Sequence, residues 1–170
     1  MSVRGPARDH QGPGGSGGLS DEELVGNMMA LDAGLHRIED AFSEHVLLAY
    51  EDPVTFGAGH FVLYPPEGSS PRFVIEEQYP PGVDWSDDDR VPTSWAWTAE
   101  ARQRQPDGTH PWVSLAEGEI ASADYAELLD LAEGWAKTVH DLAVREEALT
   151  PEPLTSPGEM RADQQRTFLT

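Results

Sequence analysis

The chain has 170 residues, 38% of them apolar, with 31 acids against 11 bases for a formal charge of −20, and no cysteine. That is room for one domain of ordinary size whose core is diluted by polar ends. Disulfide scaffolds, thiol nucleophiles and cysteine-based zinc sites are excluded, and the charge opposes direct binding to nucleic acid, which needs clustered Lys and Arg to neutralise phosphates.

Residues 1–18 are Gly- and Pro-rich with no apolar period, the composition of a disordered tail. Ser20-Asp21-Glu22-Glu23 matches a capping box, in which the serine and Glu23 satisfy backbone N–H groups at a helix start. Leu24, Met28, Leu31, Leu35, Ile38 and Phe42 then fall on one helical stripe, which predicts a helix from Asp21 to about His45. Val46–Tyr50 either finishes that helix or opens a first strand. Gly59–Tyr64 is a near-continuous apolar run and reads as a central strand. Pro65–Ser70 has turn chemistry, and Arg72–Tyr79 is its antiparallel partner, with Phe73, Ile75 and Tyr79 on one face. Glu76 and Glu77 point to opposite faces of that strand and so do not form a carboxylate pair.

A Pro-rich acidic loop, residues 80–92, leads to Ser94–Arg104, where Trp95, Trp97, Ala99 and Ala101 alternate with polar residues. A strand is expected there, with a short helix over Thr98–Gln105 as the competing assignment. Gln105-Pro106-Asp107-Gly108 predicts a hairpin turn and Thr109–Ala116 the returning strand. Ser122 is placed to cap a last helix, whose stripe runs Tyr125, Leu128, Ala132, Trp135, Val139 and Leu142 and which should reach about Glu147. Residues 151–170 are Pro-rich and polar and are expected to be a second disordered tail. The expected domain therefore spans residues 19–150 and carries 27 of the acids and seven of the bases. The fold class is α+β: an antiparallel sheet of about four to five strands flanked by a long N-terminal and a long C-terminal helix.

Across residues 20–148 this element order and acidity resemble the secretion-chaperone-like fold of type III secretion chaperones and YbjN-like proteins. Members of that group are small, often acidic α+β proteins, and the resemblance implies a role in binding another polypeptide.

Signatures of catalysis are missing from the sequence. None of the six histidines stands in a His-Glu-x-x-His pattern, and no Gly-x-Ser-x-Gly elbow occurs. Asp32, His36 and Asp40 lie one helical turn apart, but a metal trio is less expected there than a solvated face. The loop Asp84–Asp89 concentrates carboxylates without the glycine and terminal glutamate of a calcium loop, so it reads as a solvated acidic turn. No cofactor or metal is expected.

The residues that point to recognition are aromatic. Tyr79, Trp85, Trp95, Trp97 and Trp112 occupy adjacent segments, and Asp87, Asp88 and Asp89 lie beside them. If the helices cover one face of the sheet, these rings can form a shared contact patch for a second copy or a client polypeptide, with the acids steering a basic partner. The leading expectation is a non-catalytic protein-binding module for a basic or amphipathic partner. A DNA-mimicking inhibitor and an enzyme of unrecognised type are the alternatives. The longest apolar runs fall short of the ~20 residues of a membrane span, and the first residues lack the apolar stretch of a signal peptide, so a soluble cytoplasmic protein with no membrane partner is expected.

Overall fold

The computed structural model describes residues 18–52, 58–68 and 70–149. Nearly all of both expected tails, residues 1–18 and 151–170, lies outside them. Contacts divide the chain into a compact unit up to His140 and a second unit from Asp141.

Helix α1 (Asp21–Ala41) begins with the capping box: Glu23 N–H donates to Ser20 Oγ at 3.1 Å, and Ser20 N–H to Glu23 Oε1 at 2.9 Å. It ends four residues before the expected His45. There the N–H groups of both His45 and Val46 turn back to the Phe42 carbonyl, and the Glu39 carboxylate accepts the N–H of Leu48 at 2.9 Å. The chain is thereby redirected into a strand, which resolves the Val46–Tyr50 ambiguity.

Five strands follow: β1 (Leu47–Glu51), β2 (His60–Tyr64), β3 (Arg72–Gln78), β4 (Ser94–Arg102) and β5 (Trp112–Ala121). They form one antiparallel sheet in sequence order, so β1 and β5 are its edges. The alternative short helix over Thr98–Gln105 does not form, because β4 stays paired with β3 up to Glu100 and with β5 up to Arg102. At the far end Gly108, at φ 90°, occupies the left-handed region that a hairpin turn demands of it. Pairing between β4 and β5 slips by one residue at Ala99/Glu100, and Leu115 is the extra residue of that bulge. The bulge and the neighbouring Glu117 and Glu119 blunt an edge that would otherwise invite further pairing.

Helix α2 (Tyr125–Leu149) follows a single 3₁₀ turn over Ser122–Asp124. Ser122 is not the free helix cap expected of it. It is buried, its N–H bonds to the Thr93 carbonyl, and its Oγ accepts from Asn27 Nδ2 at 3.1 Å, tying β4, β5 and α1 together. Of the α2 stripe, Leu128, Ala132 and Ala136 are buried and Tyr125, Leu129, Trp135 and Val139 pack against the core, whereas Leu142 is exposed.

The core holds Leu31, Leu35 and Ile38 of α1 and Leu128, Ala132 and Ala136 of α2, packed on Phe61, Leu63, Phe73, Ile75, Trp95 and Ile120. Each large side chain buried in this way contributes about 1.5–3 kcal/mol. The helices approach closely at Gly34, where the Leu129 side chain fills the space a Cβ would need. Register and alternation put Phe61, Leu63, Phe73, Ile75, Trp95, Trp97 and Ile120 on one face of the sheet. Both helices therefore lie on that face, and no described element covers the other.

Candidate functional site: the uncovered face of the sheet

The side chains that alternate with the core residues form the uncovered face. Apolar groups run across its middle in lateral register, Ala49 on β1, Val62 on β2 and Val74 on β3, followed by Thr98 on β4, with Ala96 diagonal to Val74 and opposite Glu76. Val62 is only 5% exposed although no helix covers it. It floors a shallow cavity of about 150 Å³ bordered by Ala49, Glu51, Tyr64 and Arg72, whose longer side chains shield it. Around this strip stand Glu51, Glu76, Glu100, Glu117 and Glu119, against Arg72 and Arg102. Glu51 bonds to His60 Nε2 at 2.6 Å, Ser94 Oγ donates to Glu119 at 2.8 Å, and Arg72 pairs with Glu100 across the β3–β4 ladder. Trp112, half-buried at the start of β5, has the Arg72 guanidinium 3.9 Å and the Arg102 guanidinium 4.6 Å from its ring centroid. Two cations over one ring hold the indole in place and desolvate part of it.

The shared aromatic patch expected from the sequence does not form, since the structure distributes its members over three places. Trp95 is 0% exposed and belongs to the core. Trp97 lies on the same covered face, stacked on Phe73 with centroids 5.6 Å apart, and its indole nitrogen crosses β5 where Gly118 has no side chain. Trp112 is on the opposite face, because the bulge at Leu115 shifts the period of β5 relative to β4. Tyr79 and Trp85 meet edge to face at 5.2 Å at the start of the β3–β4 loop.

That loop is folded by its own polar groups. Ser86 N–H and Oγ both donate to Asp84 Oδ1, which holds the Asp84 carboxyl below its ordinary range, and Asp89 N–H donates to Asp87 Oδ1. Arg90 reaches back to the carbonyls of Trp85 and Asp87 and lies 5.4 Å from the Trp85 ring centroid. Trp85 is thus half-buried rather than a projecting anchor, while Asp87, Asp88 and Asp89 face solvent. Asp84 and Asp87 spend carboxylate oxygens on turn formation. Among the described residues no group of three or more His, Asp or Glu side chains is placed to hold a metal ion, and His36 instead contacts the carbonyl of Asp32 at 2.9 Å on the exposed side of α1.

On the covered face sits a feature the sequence reading passed over. Glu77 is 6% exposed, and its carboxylate accepts from Tyr79 Oη at 2.7 Å, Tyr50 Oη at 2.9 Å and Gly59 N–H at 3.1 Å. Both phenols are pushed well above their ordinary range, first by burial of the hydroxyl and then by the bond to Glu77. Much of the Tyr50 ring is open, but its hydroxyl points inward over Gly59, where any Cβ would collide with it. The signal was available in the alternation: Glu77 shares the register of Phe73 and Ile75, and a carboxylate on the apolar face of a strand requires donors.

Comparison with models of known protein families, with curated proteins and with solved structures returns no match. No helix among the described residues is long and apolar enough to cross a membrane.

Proposed function

We propose that the protein is a non-catalytic binding module that takes a basic, amphipathic helix of another protein onto the uncovered face of its sheet. The observation that carries this reading is the makeup of that face: an apolar strip of Ala49, Val62 and Val74, with Ala96 diagonal to it on β4, flanked by glutamates. A sheet face of this kind is completed most simply by a helix, as the opposite face already is. An apolar helical stripe would meet the strip while flanking lysines meet Glu51, Glu76, Glu117 and Glu119. The overall charge of −20 would speed encounter with a basic partner and disfavour acidic ones. Trp112 at the edge of the face supplies a held aromatic surface of the type that anchors interfaces. The resemblance in element order to polypeptide-binding chaperones agrees with this role. Arg72 and Arg102 interrupt the carboxylates, which favours a protein partner over an enzyme that reads the even charge of a DNA duplex.

The test is nuclear magnetic resonance titration with an amphipathic Leu/Lys helical peptide of about 18 residues, long enough to form a helix on contact. Shift changes are expected at Ala49, Val62, Val74 and Ala96. They should weaken in the Glu117→Lys/Glu119→Lys variant and be absent with the Leu/Glu counterpart. Equal response to the acidic peptide, or changes confined to the helices, would refute the proposal.

A further inference from the structure

We propose a second, independent site on the covered side of the sheet, a cavity for a small ammonium ligand with an aryl or short alkyl body. A cavity of about 400 Å³ opens between α1 and the strands, lined by Met28, Met29 and Asp32 of the helix and by Tyr50, Phe61 and Glu77 of β1, β2 and β3. That volume falls in the lower part of the range in which proteins hold small molecules. Its wall has three kinds of surface. Met28, Met29 and Phe61 are apolar and polarisable, and Met29 is 64% exposed at the mouth, where a large apolar side chain gains little without a ligand. The Tyr50 and Phe61 rings, with centroids 4.9 Å apart, offer aromatic surface to a cation.

The third surface is anionic. Glu77 lies in the wall as a buried carboxylate fixed by three donors, two on Oε1 and one on Oε2, so acceptor capacity remains on Oε2. Asp32 stands on the facing helix. No Lys, Arg or His is among the described residues lining the cavity. On the sheet side, Arg90 is engaged with the carbonyls of Trp85 and Asp87 and lies over Tyr79 at 5.6 Å. An anion would meet two carboxylates in a domain that is already strongly acidic. A neutral apolar molecule would leave Glu77 without a counter-charge in the cavity, whereas Asp32 has His36 Nδ1 3.6 Å from its Oδ1 on the exposed side of the helix. A protonated amine on an apolar body satisfies all three surfaces. The cavity is roofed by α1, on the side of the sheet away from Trp112, so occupancy here does not depend on the partner proposed above.

The experiment titrates the full chain with 2-phenylethylamine, 3-phenylpropanoate and 2-phenylethanol, which share a body and differ in charge. Binding is read by calorimetry and by amide shifts. The amine should bind saturably, with shifts at Met28–Asp32 and Tyr50, and about tenfold more tightly than the acid or the alcohol. Asp32→Asn should weaken the amine about fivefold, and Met29→Trp, which fills the mouth, should abolish binding. Both positions are exposed on α1, so the variants stay folded. Glu77 is left unchanged because the fold depends on it. Equal affinity for the acid or alcohol, shifts elsewhere, unaltered binding in Met29→Trp, or no saturation up to about 10 mM overturns the proposal.

Discussion

The two faces of the sheet are built from the same five strands, residue alternating with residue, yet they do different physical work. The covered face is large and apolar, closed by two helices, and the one charge its described strands carry there, Glu77, is held by three donors. The opposite face has small apolar side chains at its centre, with long charged ones around them that reach over Val62 and Trp112. Size is what separates them: Phe, Trp and Leu require a packed layer to cover them, whereas Val and Ala can be sheltered by the stems of Arg and Glu until a partner arrives. Stability is therefore concentrated on one side, and the other side is left open to the recognition proposed above.

The comparison breaks most visibly at Trp95. Trp95→Ala should cost about 3–5 kcal/mol in chemical unfolding, since it opens a cavity beneath both helices. Trp95→Phe should cost much less, because the indole nitrogen finds no hydrogen-bond acceptor among the described residues and none would be lost. A Trp95→Ala domain of unchanged stability would mean that the covered face is not the core.

Glu77→Ala comes next. It leaves Gly59 N–H and two phenols without their acceptor, and a loss of about 3 kcal/mol is expected by the same measurement. Gly59→Ala should act in the same direction by driving a methyl group into the Tyr50 hydroxyl. By contrast Glu76→Ala, one residue away on the open face, should shift stability by less than about 0.5 kcal/mol.

A subtler difference appears in alkali. The folded chain holds Tyr50 and Tyr79 protonated beyond the pH at which free tyrosines ionise, about 10. The unfolded chain then releases protons that the folded chain keeps, so stability is complete below about pH 10 and falls as pH rises above it. The double variant Tyr50→Phe/Tyr79→Phe should show a shallower decline in Tm between about pH 10 and 11. An identical slope would show that these phenols are not protected.

How much of this was legible in the sequence follows from which signals are local. The capping box, the helical stripes and the hairpin turn depend on neighbours within a few residues. The start of α1, helix α2 and the Gln105–Gly108 turn sit where those signals put them, whereas the returning strand runs Trp112–Ala121 rather than the expected Thr109–Ala116. The five-stranded α+β architecture was legible for the same reason. The ends of elements depended on distant groups: α1 stops short of His45 because Glu39 takes the Leu48 N–H, and Ser122 serves Asn27, 95 residues away, rather than its own helix. The expected contact patch failed on register. Trp97 and Trp112 lie on adjacent strands, and a single extra residue, Leu115, sends Trp112 to the face opposite Trp97. The Glu77 cluster joins three strands through pairings that no short stretch of sequence reveals.

The most direct test of the division between the faces compares two tryptophans, Trp97→Ala and Trp112→Ala, each measured for thermal unfolding and for affinity toward the Leu/Lys peptide. Trp112→Ala should weaken the peptide about tenfold and leave Tm within a few degrees of the parent. Trp97→Ala should lower Tm substantially and, below its own Tm, bind the peptide as the parent does. If Trp112→Ala unfolds the domain, or if a folded Trp97→Ala loses the peptide, stability and recognition are not divided between the two faces and the account is wrong.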